Sequence, residues 1–174
     1  MYRRNRVAGG TYFFTITLRD RSSSILVDRI DDLRKALLSV MRERPFETAA
    51  MVVLPEHLHA LWVLPPGDDD YPGRMRLFKS RFTRCVAAAG VPMRRNPKGE
   101  YDLWQRRYWE HTLRGDRDFE KHVDYIHWNP VKHGHVAHAA DWRYSTFHRF
   151  VAKGVYPLDW AGNHAGDKDG RFGE

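Results

Sequence analysis

The sequence predicts an α+β protein: a ferredoxin-like sandwich in which a four-stranded antiparallel sheet carries packed helices. Two observations predict it. β-Branched, aromatic and apolar runs of strand length alternate with apolar residues at helical spacing, and the order of these segments is βαββαβα. The first strand is residues 11–18, where Tyr12, Phe14, Ile16 and Leu18 share one face. Residues 28–44 set Ile30, Leu33, Leu37, Leu38 and Met41 at helical spacing, with Asp28 as cap and Pro45 as stop. Residues 48–54 and 57–64 read as two strands of a hairpin, broken at Pro55-Glu56. An acidic, Gly- and Pro-punctuated loop at 65–73 leads into a basic amphipathic helix at 75–89. That helix has Leu77, Phe78, Phe82, Cys85, Val86 and Ala89 on one side, and Lys79, Arg81 and Arg84 on others. A basic loop at 90–100 precedes a fourth strand at 108–113, and residues 117–128 form a third helix ended by Asn129-Pro130. Residues 1–150 make the domain, and 151–174 are a C-terminal extension whose Gly-rich, charged end (161–174) is expected to be mobile.

Composition limits the function. The chain has 174 residues, 42% of them hydrophobic, enough for one core. Lys and Arg number 29 against 22 Asp and Glu, a net charge of +7 that makes a polyanion the default partner. No apolar run approaches the roughly 20 residues of a spanning helix, so no membrane role is expected. The single cysteine, Cys85, excludes an internal disulfide and any C-x-x-C pair, which suits a reducing cytoplasm. Arg3-Arg4 is not read as a twin-arginine signal, because a strand pattern follows it. Phosphate-loop, G-x-G-x-x-G, G-x-S-x-G and H-E-x-x-H patterns are all absent, which removes the main support for NTPase, dehydrogenase and serine-hydrolase readings.

The residues left to carry chemistry are mostly histidines. His57 and His59 lie two apart on a strand and project from one face, while Leu58, Ala60, Trp62 and Leu64 point to the core. Such a pair either chelates a divalent ion or is a hydrogen-bonded structural pair. On the third helix Phe119, Val123, Ile126 and Pro130 form the packing stripe, with Tyr125 and Asn129 one turn apart on its flank beside His122. A tyrosine there is either a phosphodiester nucleophile or a packed ring, and the asparagine is either a third metal ligand or a helix end. His133, His135 and His138 make a second metal-like cluster around Gly134 that reads as a solvated loop, the alternative being a structural zinc site.

The segments Leu54-Pro55-Glu56-His57-Leu58-His59 and Tyr125-Ile126-His127-Trp128-Asn129-Pro130-Val131, followed by Gly134, resemble a known family. It is the REP-associated tyrosine transposases, a branch of the single-tyrosine HUH transposases that act on single-stranded DNA. The likeness covers residues 2–150 and includes the opening Tyr2-Arg3-Arg4, the run Gly10-Thr11-Tyr12-Phe13-Phe14-Thr15 and Trp104-Gln105-Arg106; Glu56 stands where the family often has Asp. It implies His57 and His59 as paired metal ligands, Asn129 as the third ligand and Tyr125 as the nucleophile. The ion implied is Mg²⁺ or Mn²⁺, with zinc also compatible with a His and amide donor set. The implied reaction is cleavage and rejoining of single-stranded DNA at REP-like hairpins through a 5′-phosphotyrosine, whose retained diester energy lets a second end be joined without ATP. A phenol with a pKa near about 10 needs local help to attack, and the sequence names no base.

The candidate phosphate contacts are Arg3, Arg4, Arg6, Lys79, Arg81, Arg84, Arg94, Arg95, Arg106 and Arg107, each of which is otherwise an ordinary solvated charge. Trp104, Tyr108 and Trp109 either stack bases or pack in the core. Two competing readings share the prediction of nucleic-acid binding. One is a non-enzymatic module with an RRM-like fold, weakened because Thr11, Phe13, Thr15 and Thr17 give the outward face of the first strand one aromatic only. The other is a nuclease that activates water, with Tyr125 merely positioning DNA.

Overall fold

In the computed structural model residues 5–162 are described, so Arg3, Arg4 and residues 163–174 of the segment expected to be mobile lie outside the described residues. The strands are β1 (Thr11–Thr17), β2 (Glu47–Val53), β3 (His57–Val63) and β4 (Trp109–Thr112). They form one antiparallel sheet in the order β2-β3-β1-β4, the arrangement predicted from the element order. The helices are α1 (Ile25–Asp28), α2 (Ile30–Glu43), α3 (Tyr71–Ala88), α4 (Asp116–Lys132) and α5 (Phe147–Ala152), with a 3-10 turn at Ala139–Asp141. None is long and apolar enough to cross a membrane, among the described residues.

Three boundaries depart from expectation. The helix foreseen at 28–44 is two, broken at Arg29, and Asp28 ends α1 instead of capping α2. Its carboxylate accepts the Ser24 hydroxyl at 2.5 Å, a local bond that competes with capping. Leu38, expected on the apolar stripe, is half exposed at 50%. α3 begins at Tyr71, inside the expected loop, because Asp70 caps it by accepting the Gly73 N–H at 3.0 Å and Pro72 fits the first turn, where its missing N–H costs nothing. α4 runs through Pro130. The ring removes only the bond to the Ile126 carbonyl, and the helix closes one turn later: the His135 N–H reaches the Pro130 carbonyl and the Gly134 N–H that of Val131, both at 2.9 Å. Gly134 takes the left-handed conformation this closure needs, with φ 70°.

The sheet is covered on both faces. Tyr12, Phe14, Ile16, Leu58, Ala60 and Trp62 meet α2 and α3 through Leu33, Val40, Phe78 and Phe82. Opposite, Phe13, Val52, Leu61 and Ala50 meet Val123, Tyr125 and Ile126 of α4. The face of β1 read as outward is therefore interior, with Phe13, Thr15 and Thr17 all buried. That removes the open platform an RRM-like reader needs. Trp104 is likewise a core residue, set between Phe78 and Phe82, with its indole N–H shared by the Lys79 carbonyl and the Thr83 hydroxyl. Tyr108 packs on the first core and Trp109 on the second. None of these three aromatics is displayed as a base-stacking platform.

The outer edge of β2 is closed as well. Val53 N–H donates to Tyr144 O at 2.8 Å, and Met51 N–H to the Thr146 hydroxyl at 2.9 Å. Where the β2 register slips between Thr48 and Ala50, the Arg149 guanidinium donates to the carbonyls of Thr48 and Ala49. The described part of the extension packs on α4: Tyr156 donates to Asp124 and lies at a tilt against Trp160, whose ring meets Trp128 on α4.

Candidate active site

His57 and His59 open β3 and point toward α4, both essentially inaccessible at 1% and 0%. Their rings lie 5.0 Å apart at 80°. His57 Nδ1 meets Glu56 Oε1 at 2.9 Å, and His59 Nδ1 meets the Thr15 hydroxyl, on the neighbouring strand in register, also at 2.9 Å. With Nδ1 of each ring so held, Nε2 is the atom each presents for coordination, the outer-shell pattern of metal-binding imidazoles. Burial pushes the Glu56 carboxyl up, but the hydrogen bond and charge of His57, with Arg21, outweigh it and hold the group at about 2.

α4 lies across β2 and β3 and brings Tyr125 over this pair. The Tyr125 ring is 5.2 Å from that of His59 at 70°, and 6.0 Å from Phe13. Asn129, one turn on, is fully buried. Because α4 continues through Pro130, Lys132 falls two turns after Tyr125 on the same side, and its ammonium donates to the phenol oxygen at 3.1 Å. The loop reading of the later histidines holds, with His133, His135 and His138 all exposed. Yet the His133 ring lies 5.1 Å from that of His57, at the rim of the pair. Sequence reasoning passes over Lys132 and places His133 only in a solvated loop, apart from the His57 and His59 pair. The seven-residue spacing from Tyr125 to Lys132 was the legible sign, obscured by ending the helix at Asn129.

A second cluster lies across β1. Among the described residues, His111, Asp118 and His122 are the one group of three or more His, Cys, Asp or Glu whose ligand atoms, within 4.8 Å of one another, could hold a metal. Burial pushes the Asp118 carboxyl up, but the His111 hydrogen bond, the Arg114 N–H and the two imidazole charges prevail and lower it; burial lowers His122.

The basic residues divide. Arg6, paired with Asp69 at 3.7 Å, Lys79, which donates to the Gln105 carbonyl at 2.8 Å, and Arg106 line one open hollow of about 420 Å³ with Arg76, and Arg94 lines another of about 640 Å³ with Arg19 and Arg21. Arg81 is engaged by Glu43, Arg84 by Ser80, and Arg95 stacks over Tyr101 at 4.0 Å, while Arg107 is exposed. Neither hollow is lined by His57, His59, Tyr125 or Asn129.

No protein-family model matches the chain. A REP-associated tyrosine transposase of Escherichia coli (strain K12) is 49% identical over 162 residues, 93% of this chain and 91% of that protein. A Haemophilus influenzae protein described with the same family name is 46% identical over 164 residues, 93% of each. A solved structure described as the REP-associated tyrosine transposase bound to a REP hairpin superposes with a TM-score of 0.86 at 47% identity, covering 100% of this chain and 96% of that one. The sandwich and these identities make the protein a transposase, an enzyme. More narrowly, the chain belongs to the REP-associated tyrosine transposases.

Proposed function

We propose that the protein is a metal-dependent single-stranded DNA endonuclease and strand transferase that cleaves and rejoins DNA at REP-like hairpins, with Tyr125 as nucleophile. The observation that carries this reading is the meeting of Tyr125 with the His57 and His59 pair beneath α4, the rings of Tyr125 and His59 being 5.2 Å apart. The hairpin substrate is supported by the hairpin bound in the solved relative.

The Tyr125 oxygen attacks the scissile phosphorus, forming a P–O bond to tyrosine as the bond to the 3′-oxygen breaks. The phenolic proton leaves to solvent, and the departing 3′-oxygen takes a proton from solvent to become a hydroxyl. Attack by a 3′-hydroxyl on the 5′-phosphotyrosine reverses the step and rejoins DNA. Lys132 steadies charge on the phenol oxygen before attack. Two imidazoles whose Nδ1 atoms are held by Glu56 and Thr15, with the Asn129 amide, would hold a divalent ion; the family resemblance implies Mg²⁺ or Mn²⁺, and the two nitrogen donors also fit zinc. When bound, it supplies Lewis-acid polarisation of a non-bridging phosphate oxygen. Arg6, Lys79 and Arg106, with Arg76, are the clustered cations suited to the DNA backbone.

Incubation with Mg²⁺ and a labelled single-stranded REP-type hairpin is expected to yield a detergent-resistant protein–DNA adduct, lost in Tyr125→Phe and His57→Ala. Free cleaved product from Tyr125→Phe would overturn the phosphotyrosine route in favour of activated water. A wild-type protein that binds hairpins with neither adduct nor cleavage would overturn the enzymatic assignment of this site.

A further inference from the structure

We infer that His111, Asp118 and His122 form a second cation site, suited to a borderline divalent transition metal such as Zn²⁺ or Co²⁺, that ties β4 to the first two turns of α4. His111 comes from the edge strand and the other two from one face of α4, four residues apart. Bonds of about 2.1 Å at tetrahedral angles require ligand atoms about 3.4 Å apart. Here His111 Nε2 lies 2.9 Å from Asp118 Oδ2, and His122 Nδ1 lies 3.2 Å from Asp118 Oδ1 and 2.8 Å from the Asp118 carbonyl oxygen, a bond that an ion at Nδ1 would have to displace. The two imidazoles are nearly parallel, 4.9 Å apart at 12°. The Arg114 N–H donates to Asp118 Oδ2 at 2.9 Å and so orients the carboxylate from outside the cluster. An ion entering here replaces the protons these contacts share, and those protons go to solvent.

Two imidazoles and one carboxylate favour a borderline ion over Mg²⁺, which prefers oxygen. His122 is closed in, with 7% of its side chain exposed, whereas Asp118 and His111 keep 24% and 35%, so water can complete the coordination from the open side. The group is distinct from the His57 and His59 pair. His111 and His59 flank β1 from opposite neighbouring strands, and the Phe13 ring stands between them, 5.4 Å from His59 and 4.8 Å from His122. Tyr125 follows His122 by three residues, so an ion here pins the helix turn that carries the candidate nucleophile.

The test uses untagged, chelator-stripped protein carrying His57→Ala and His59→Ala, which removes the other candidate pair, titrated with Co²⁺ and followed by its absorption spectrum. One equivalent is expected to bind, and Zn²⁺ should raise the unfolding temperature. Loss of an outer-shell partner alone weakens metal sites by about 10–100-fold. Adding His111→Ala, or Asp118→Asn, which keeps the side chain's size, should therefore weaken Co²⁺ binding at least that much and abolish the Zn²⁺ shift. No Co²⁺ binding in the double variant would overturn the inference. So would binding that survives both added substitutions.

Discussion

Replacing Phe13 by alanine tests whether the second core and the candidate site are one construction. Phe13 is fully buried on β1, and its ring meets His59, Trp109, His122 and Tyr125 at centroid distances of 4.8–6.0 Å. Truncating a buried phenylalanine costs about 3–5 kcal/mol in lost transfer energy and residual cavity. A fully buried ring with four aromatic neighbours puts the cost near the middle of that range, about 4 kcal/mol. For a domain of this size each kcal/mol lowers the unfolding temperature by about 2–4 °C, so a fall of about 8–16 °C is expected by calorimetry or circular dichroism. Adduct formation, measured well below the new midpoint, should fall as well, because His59 and Tyr125 lose the ring both lean on. Phe13→Leu, which keeps most of the volume, should recover much of the stability and less of the activity. A loss under about 1 kcal/mol, or full adduct formation in a folded Phe13→Ala protein, would refute the coupling.

Acid should destabilise the protein through His127. Burial, with the charges of Arg149 and His148, pushes this imidazole down to about 3. The Thr146 hydroxyl donates to Met51 O, so it accepts from His127 Nε2–H, and among the described residues Nδ1 has no hydrogen-bond partner to welcome a proton. The unfolded chain takes up that proton near pH 6.5 while the folded one does not. The stability is therefore complete above 6.5 and drains away toward 3 by about 1.4 kcal/mol per pH unit. Urea unfolding at pH 7.5, 6 and 5 should show this slope in the wild type and a shallower one in His127→Gln; equal slopes would count against it. Arg74, 3% exposed, holds Asp68 with both guanidinium nitrogens at 3.0 and 2.6 Å and donates to the carbonyls of Arg44 and Pro45. Because Asp68 is a third exposed, Arg74→Ala should cost about 3 kcal/mol, the low end for a broken buried pair, and a denaturation midpoint that barely moves would contradict it.

The strands and the histidine pair were legible because both follow from local rules. Alternation identifies Tyr12, Phe14 and Ile16 as one face, Pro55-Glu56 breaks the hairpin, and a spacing of two sends His57 and His59 the same way. Alternation could not say that the other face of β1 is also interior. Thr15 and Thr17 look solvent-facing by composition; the docking of α4 buries that face, and the β1–β3 register makes Thr15 the hydrogen-bond partner of His59. The missed helix ends have the same origin. Pro130 is a strong local stop, yet a proline in the last turn sacrifices only one carbonyl partner, and the Gly134 closure repays that carbonyl's loss by satisfying two others. The His111, Asp118 and His122 cluster joins strand to helix across a turn, so no single period could reveal it.

Continuation past Pro130 matters for more than helix length. A helix ending at Asn129 would leave that amide at a fraying terminus and send Lys132 into a loop. With Pro130 inside the helix and the Gly134 motif closing it, Tyr125, Asn129 and Lys132 are all carried by one rigid rod, and rigid elements hold reacting groups more accurately than loops do. The rod is fastened on both sides. Val123 and Ile126 pack on the sheet, while His127, through Thr146, ties it to the covered edge of β2, and Trp128 and Asp124 meet Trp160 and Tyr156 of the extension. The extension up to Trp160 therefore acts as the outer brace of the candidate site, which places part of the site's stiffness beyond the residues that the motifs cover.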